Sequence, residues 1–159
     1  MKKVILILMT GFLFSCSKEI QTQKIGDRFF ETFSERKEID KMISFYAADF
    51  TYENIGFGSE TNDPKFLYEQ IYGWKDPAFK YDTKESITLT KLVSNDSTLV
   101  ATGETLPYTY NGKEVEGTRF VIWLDLDKDS KIKKQTDWFD YPLAEIIEAF
   151  HLKNSMKIE

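Results

Sequence analysis

Two carboxylates bracket two aromatic residues in the stretch 135–142, QTDWFDYP: Asp137 and Asp140 stand on either side of Trp138 and Phe139. A carboxyl group among aromatic rings loses hydration, which raises its pKa toward the range useful for moving protons near neutral pH. Few other groups compete for such chemistry. The 159 residues include one histidine, His151, and one cysteine, Cys16. A structural zinc site would therefore need carboxylates to complete it, and an intrachain disulfide is impossible. Acid–base work falls to Asp, Glu, Tyr, Lys or Arg, and no cofactor or metal is expected. Asp125, Asp127 and Asp129 have the spacing of the first ligands of a calcium loop. Ser130 stands where that loop needs glycine, and Thr136 where it needs a bidentate glutamate, so a solvated hairpin turn is expected.

The two acids differ in phase. Residues 131–139 read as a strand, which puts Lys133, Gln135, Asp137 and Phe139 on one face and Ile132, Lys134, Thr136 and Trp138 on the other. Asp140 precedes Tyr141, Pro142 and an apolar pattern at Leu143, Ile146, Ile147 and Phe150. It is expected to cap a short terminal helix, with Pro142 in the first turn. Tyr46, Tyr52, Tyr108, Tyr110 and Trp123 are candidates to line a pocket, where a phenol can donate to a carbonyl or a developing oxyanion. Ordinary core packing competes with that reading at each position. Arg119 lies in a strand and is read as a partner for Asp137, as a partner for a ligand carboxylate, or as a surface residue. The candidate binding set is Tyr46, Tyr52, Tyr108, Arg119, Trp123, Gln135 and Phe139, with Asp137 as the candidate catalytic group.

The elements that must position these residues fall into two halves. Ile25, Phe29 and Phe33 recur at helical spacing, with Phe30 beside them, and predict a helix of about four turns. Glu35-Arg36-Lys37 breaks that stripe, and Ile39, Met42, Ile43 and Tyr46 make a shorter second one. Phe50, Tyr52 and Asn54 then alternate with Asp49, Thr51 and Glu53 as a strand. A glycine-containing loop follows at 55–60. Asn62 or Asp63 is expected to cap a third helix, with Pro64 in its first turn and Phe66, Leu67 and Ile71 on its apolar face. Strands follow at 85–93, 98–110 (interrupted at Pro107), 118–126 and 131–139, and Asn111-Gly112 is a strong hairpin signal. Helices first and an antiparallel meander afterward is an α+β pattern.

Composition narrows the partners. The chain is 42% hydrophobic and 15% aromatic, enough for an independent core, and its 21 basic against 26 acidic residues give a net charge of -5. With no basic patch, nucleic acid is not an expected partner. The N-terminus reads as a secretory leader: Lys2 and Lys3 precede an apolar run at 4–14 too short to span a bilayer comfortably. Leu13-Phe14-Ser15-Cys16 resembles a bacterial lipobox, in which the cysteine is lipidated and becomes the first residue of the mature chain. Phe14 departs from the smaller residues usual there. The expected organisation is a leader at 1–15, lipidated Cys16 and a polar tether at 16–23, one domain at 24–152, and a polar tail at 153–159. Membrane attachment through the N-terminal lipid follows, in the cell envelope of a bacterium. Ser17 after the cysteine points to the outer membrane.

The order helix, short helix, strand, helix and meander resembles the nuclear transport factor 2-like superfamily, in particular its SnoaL-like polyketide-cyclase branch, over residues 25–150. The sharpest local match is DSKIKKQTDWFDYP, which has the turn, the apolar residue, the acid, the two aromatics and the second Asp of that branch, with Ser130 in place of the usual Gly. Phe45-Tyr46 and Asp49-Phe50 resemble the approach to the first strand. The resemblance implies a cone: a bent antiparallel sheet wrapped around N-terminal helices, with a cavity lined by aromatic and apolar side chains. Asp137 matches the motif acid that points into that cavity. Members include isomerases, dehydratases, cyclases and epoxide hydrolases, and also binding and structural domains, so fold does not fix function. The epoxide-hydrolase branch uses an Asp–Arg–Asp set; Asp137 matches one member, but no acid follows two residues after Arg119. The cavity base of the ketosteroid-isomerase branch has no identified counterpart. Two functional readings follow: a lipid-anchored domain binding a small, largely apolar molecule, with or without proton transfer by Asp137, or an envelope interaction module without catalysis. The resemblance also implies a homodimer through the open sheet face.

Overall fold

The computed structural model describes residues 2–141, with side chains from residue 18 onward. The expected terminal helix, Pro142, His151 and the tail at 153–159 lie outside the described residues. The apolar stripe of Ile25, Phe29 and Phe33 lies on α1, Lys2–Glu35, which is longer than its periodicity alone predicts. Residues 17–23, read as a tether, belong to the same helix. Thr22 is buried there and its hydroxyl donates to the Asp96 carbonyl at 3.1 Å, while the Ser94 hydroxyl donates to Gln23 Oε1 at 2.9 Å. Polar side chains here dock the helix by hydrogen bonds, which composition alone does not distinguish from a solvated linker. The helix stops at Arg36, whose backbone is left-handed with φ 50° and whose amide donates to the Thr32 carbonyl at 3.2 Å.

The second stripe forms α2, Ile39–Ile43, with Ile39 and Met42 buried. Strand β1, Tyr46–Asn54, buries Phe50, Tyr52 and Asn54, as its alternation predicts, and β2, Ser59–Thr61, folds back onto it. Asp63 caps α3, Pro64–Phe66: its carboxylate accepts from the Lys65 amide at 2.9 Å. The chain then makes one wide π-helical turn, Leu67–Tyr72, ending at Gly73. Seven strands follow: β3 Phe79–Lys80, β4 Ile87–Ser94, β5 Thr98–Thr105, β6 Tyr108–Tyr110, β7 Lys113–Val115, β8 Arg119–Leu126 and β9 Ile132–Phe139. Pro107 ends β5, because proline cannot donate to a ladder. Beyond it β6 joins β3 and β7 in a separate three-stranded sheet. Asn111 and Gly112, at φ 51° and 79°, turn the β6–β7 hairpin.

The main sheet has six strands in the order β2-β1-β9-β8-β5-β4. All neighbours are antiparallel except β1 and β9, which are parallel. Register shifts between Leu89 and Lys91 and between Asp125 and Leu126 mark irregularities that bend such sheets. Gly103 sits opposite the first: a Cβ there would lie 2.3 Å from the Thr88 carbonyl oxygen, so the strands approach too closely for any side chain. Phe29 and Phe30 of α1 join Leu99, Ala101, Ile122 and Leu124 of the sheet in one core, all between 0% and 1% exposed. Burying such side chains is worth about 1.5–3 kcal/mol each. This α+β arrangement leaves one face of the sheet against the helix and the other toward solvent.

Candidate functional site

Register decides which side chains meet. In β8 and β9, Ile122 pairs with Asp137, Leu124 with Gln135, and Phe120 with Phe139. On the other side of β9, Tyr52 pairs with Gln135 and Asn54 with Asp137. Asp137 is therefore in the middle of the inner face, 3% exposed, between an amide and an aliphatic residue. The expected phase holds for Gln135, Asp137 and Phe139 but fails at Lys133. The irregularity between Asp125 and Leu126 shifts the start of β9, so that Ile132 is buried and Lys133 is exposed. Lys133 instead pairs with the Asp49 carboxylate on the surface.

Five polar side chains form a chain beneath the sheet. The Tyr46 and Tyr72 hydroxyls bond one another, and Tyr46 donates to Gln135 Oε1. Because Oε1 is engaged, the Gln135 amide presents Nε2 to Asp137 Oδ1 at 2.8 Å. The Tyr52 hydroxyl donates to Asp137 Oδ2 at 3.0 Å. Burial pushes the Asp137 carboxyl up to about 7, against the two donors from Gln135 and Tyr52, which favour its charged form. Burial also holds the protons on Tyr46, Tyr52 and Tyr72 well above the usual phenol range. The phenols are thus fixed donors, and Asp137 is the group that changes charge near neutral pH. Each carboxylate oxygen keeps one lone pair beyond its protein donor.

Asp137 opens onto a chamber of about 350 Å³, walled by Phe33, Tyr52, Phe57, Phe66, Ile71, Phe139 and Tyr141. The π-helical turn supplies Gln70, Ile71 and Tyr72 together, because the wide turn points consecutive residues at one cavity. Asn54 donates to the Tyr141 hydroxyl at 3.1 Å and accepts from the Phe57 amide at 3.2 Å, which ties the loop after β1 to the chamber wall. A chamber of this size, mostly apolar with a few convergent polar groups, has the character of a small-molecule site.

The structure divides the candidate residues among three places. Tyr52, Asp137 and Phe139 line the chamber, while Tyr46 and Gln135 form the buried layer beneath it. Tyr108 lies in a second chamber of about 190 Å³, which shares Phe33, Ile71, Tyr72, Phe139 and Tyr141 with the first. Arg119 and Trp123 are excluded from both: on β8 they alternate with Phe120, Ile122 and Leu124 and so stand on the outer face. Trp123 Nε1 donates to Asp125 at 3.0 Å, and Arg119 pairs with Asp140 rather than Asp137. Asp140 accepts from that guanidinium at the sheet surface, and the helix it is expected to cap lies outside the described residues. Asp127 accepts the amides of Asp129 and Lys131 at 2.8 and 2.9 Å, closing the 127–131 turn with its carboxylate. Ser130 there takes the left-handed conformation, φ 62°, of the glycine it replaces. A wider depression, about 580 Å³, is an open groove on the outer face between Arg119, Val121 and Trp138. The ionisable groups that line it, Glu104, Arg119 and Asp140, are exposed, whereas the inner chamber has the buried carboxyl of Asp137.

No protein-family model and no curated protein matches the sequence. Solved structures do match its fold. An NTF2-like protein from Burkholderia thailandensis superposes with a TM-score of 0.61 at 15% identity, over 86% of this chain and 98% of that one. An LEH-like epoxide hydrolase of M. tuberculosis gives 0.61 at 12% identity, over 84% and 92%. A protein of Shewanella denitrificans assigned as a SnoaL-like polyketide cyclase gives 0.62 at 11% identity, over 80% and 97%. This is the nuclear transport factor 2-like fold. At such identities the likeness establishes architecture alone, because many sequences satisfy one pattern of buried and exposed positions. Within this fold, sequence reasoning missed Asn54, Tyr72, Tyr141 and Arg36. Asn54 shares the phase of Tyr52 and was legible from alternation. Tyr72 follows the apolar stripe of its helix by one residue, and only the π-helical turn brings it inward.

Proposed function

We propose that this domain binds a small, largely apolar molecule in the chamber that Asp137 lines. The observation that carries the reading is a buried carboxyl, poised near neutral pH, at the floor of an aromatic-walled chamber. Proton transfer to or from that ligand by Asp137 is the finer form of the same reading, since a group titrating near 7 serves both as acid and as base. The test is thermal melting of the full chain with a panel of fused-ring and terpenoid alcohols and ketones, in wild type and Ser59→Trp. Ser59 is exposed at the rim of the chamber, so a tryptophan there fills the cavity and leaves the core alone. Ligands are expected to raise the wild-type midpoint and not that of the variant. No stabilisation by any compound, or equal stabilisation of both proteins, would refute the chamber as a binding site.

Lipid anchoring at Cys16 belongs to the same proposal. It is supported by the leader-like residues 1–15 and by the position of the single cysteine at their end. Cys16→Ala is expected to move the protein from the membrane pellet to the soluble fraction, and a variant that still sediments with membranes overturns the anchor. The alternative of an interaction module draws on a different observation, the exposed Val121, Trp123 and Trp138 of the outer sheet face. That surface is compatible with a ligand in the inner chamber, and a second copy of the chain is its proposed partner.

A further inference from the structure

The second chamber contains a cation that the described protein leaves unneutralised. Arg36, at the end of α1, is half-buried among rings: its guanidinium carbon is 4.8 Å from the Tyr81 centroid, 5.3 Å from Phe79 and 5.9 Å from Trp74. Its one side-chain hydrogen bond within the described residues goes to the Tyr81 hydroxyl at 3.3 Å. A guanidinium has five N–H donors, so among the described residues most of its capacity is unused. Carboxylates are at hand but turned elsewhere. Glu35, the preceding residue, pairs with Lys84 and Lys37 at 3.5 and 3.9 Å. Glu116 also lines the chamber and is exposed, yet it makes no ion pair with Arg36. Burial lowers the Arg36 pKa, and an arginine keeps its charge regardless.

The backbone at Arg36 adds an independent observation. The residue terminating α1 is left-handed, a position where glycine is the usual choice and a larger residue costs about 1 kcal/mol. Three aromatic faces hold the arginine side chain there. The geometry relates this arginine to Asp137. Phe33, Ile71, Tyr72, Phe139 and Tyr141 line both chambers, so the Arg36 chamber and the Asp137 chamber adjoin across a shared, mostly aromatic wall. Asp137 stands in one chamber and Arg36 in the other.

We infer that the ligand of this cavity is an apolar monocarboxylic acid, its carboxylate on Arg36 and its body passing Phe33 and Phe139 toward Asp137. The inference rests on the ligand-binding reading above and names the chemical class of that ligand. A planar carboxylate matches two parallel guanidinium N–H donors, and the surrounding rings exclude the water that would weaken the pair. The shared aromatic wall selects for the body, and the acid at the far end disfavours a second anionic group there.

Three compounds with one body and different head groups test it: 4-phenylbutyrate, 4-phenylbutanol and 4-phenylbutylamine. Each is titrated calorimetrically into the full chain in phospholipid nanodiscs, with empty nanodiscs as the blank. The acid is expected to bind at least about tenfold tighter than the alcohol, the scale of one charge-assisted hydrogen-bonded pair, and the amine more weakly than the alcohol. Arg36→Gln is expected to erase the preference for acid over alcohol while the alcohol keeps its affinity. Arg36→Lys retains part of the preference, and Asp137→Asn leaves it intact. If Arg36→Gln does not fold, the wild-type ranking and Arg36→Lys still decide: acid and alcohol binding equally overturns the inference. So does an acid preference that survives in Arg36→Gln. Either result with the alcohol still bound leaves the ligand-binding reading standing, whereas no binding by any of the three refutes both.

Discussion

Asp137 weakens the folded state in order to be where it is. An unfolded carboxyl titrates near 3.8, and burial among Ile122, Asn54 and the chamber wall pushes the folded group up to about 7. Between those values the unfolded chain gives up a proton that the folded chain keeps. This contribution to stability is therefore most favourable below about pH 4, declines as pH rises to about 7, and is level above it. At 1.36 kcal/mol per pKa unit the decline amounts to roughly 4 kcal/mol. Asp137→Asn removes the titration and keeps the shape. The stability of the variant relative to wild type, from urea unfolding at a series of pH values, is expected to rise between pH 4 and 7 and then flatten. Asp49 and Glu53, which Lys133 and Lys134 hold below the usual carboxylate range, drift the opposite way but are common to both proteins and cancel. A difference that stays constant across the range would show that Asp137 is ionised in the folded state like any surface carboxylate. Tyr52→Phe deletes one donor to the charged form and should move the step to higher pH.

The elements show which physical signals a sequence carries. Local rules identified the phase of β1, the Asp63 cap, the break at Pro107 and the Asn111-Gly112 turn, because each depends on residues within one or two turns of chain. What depends on distant partners was not legible. The parallel pairing of β1 with β9 joins Tyr52 to Gln135, and nothing in either segment specifies the other. Strand β8 is the instructive case. Its sequence RFVIWLDL has apolar residues in both phases, Phe120, Ile122 and Leu124 in one and Val121 and Trp123 in the other. Alternation cannot rank two apolar faces, so Trp123 and Arg119 entered the candidate set, and only pairing of Ile122 with Asp137 places them outside. Lys133 failed for a related reason: a single irregularity reverses the faces on one side of it and leaves the other side intact. Arg36 was read as the break in an apolar stripe, which it is. The rings that surround it come from residues 74–81, and that neighbourhood exists only in the folded chain.

At the scale of the whole molecule, the outer face of the main sheet presents exposed apolar side chains among the described residues. Val121, Trp123 and Trp138 are 40%, 47% and 59% exposed. Val121 and Trp138 face each other across β8 and β9, and Trp123 adjoins Val100 across β8 and β5, so the apolar surface is continuous rather than scattered. Water contact with such a patch is unfavourable, and patches of this kind mark association surfaces. Its rim has charge of both signs, Arg119 with Asp140 on one side and Lys134 with Glu53 on the other. A two-fold interface requires a patch to complement itself, and a rim with both signs meets that condition where a single-sign rim would repel. A net charge of -5 is small enough for such contact to prevail. The full chain at tens of micromolar is then expected to favour pairs, with tryptophan emission shifted to the blue by burial of Trp123 and Trp138. Trp138→Glu should give single copies and red-shifted emission, and should leave ligand stabilisation through the inner chamber unchanged, since the two faces of the sheet are separate. Single copies in the wild type at tens of micromolar, or pairs that persist in Trp138→Glu, would remove the outer face as the interface.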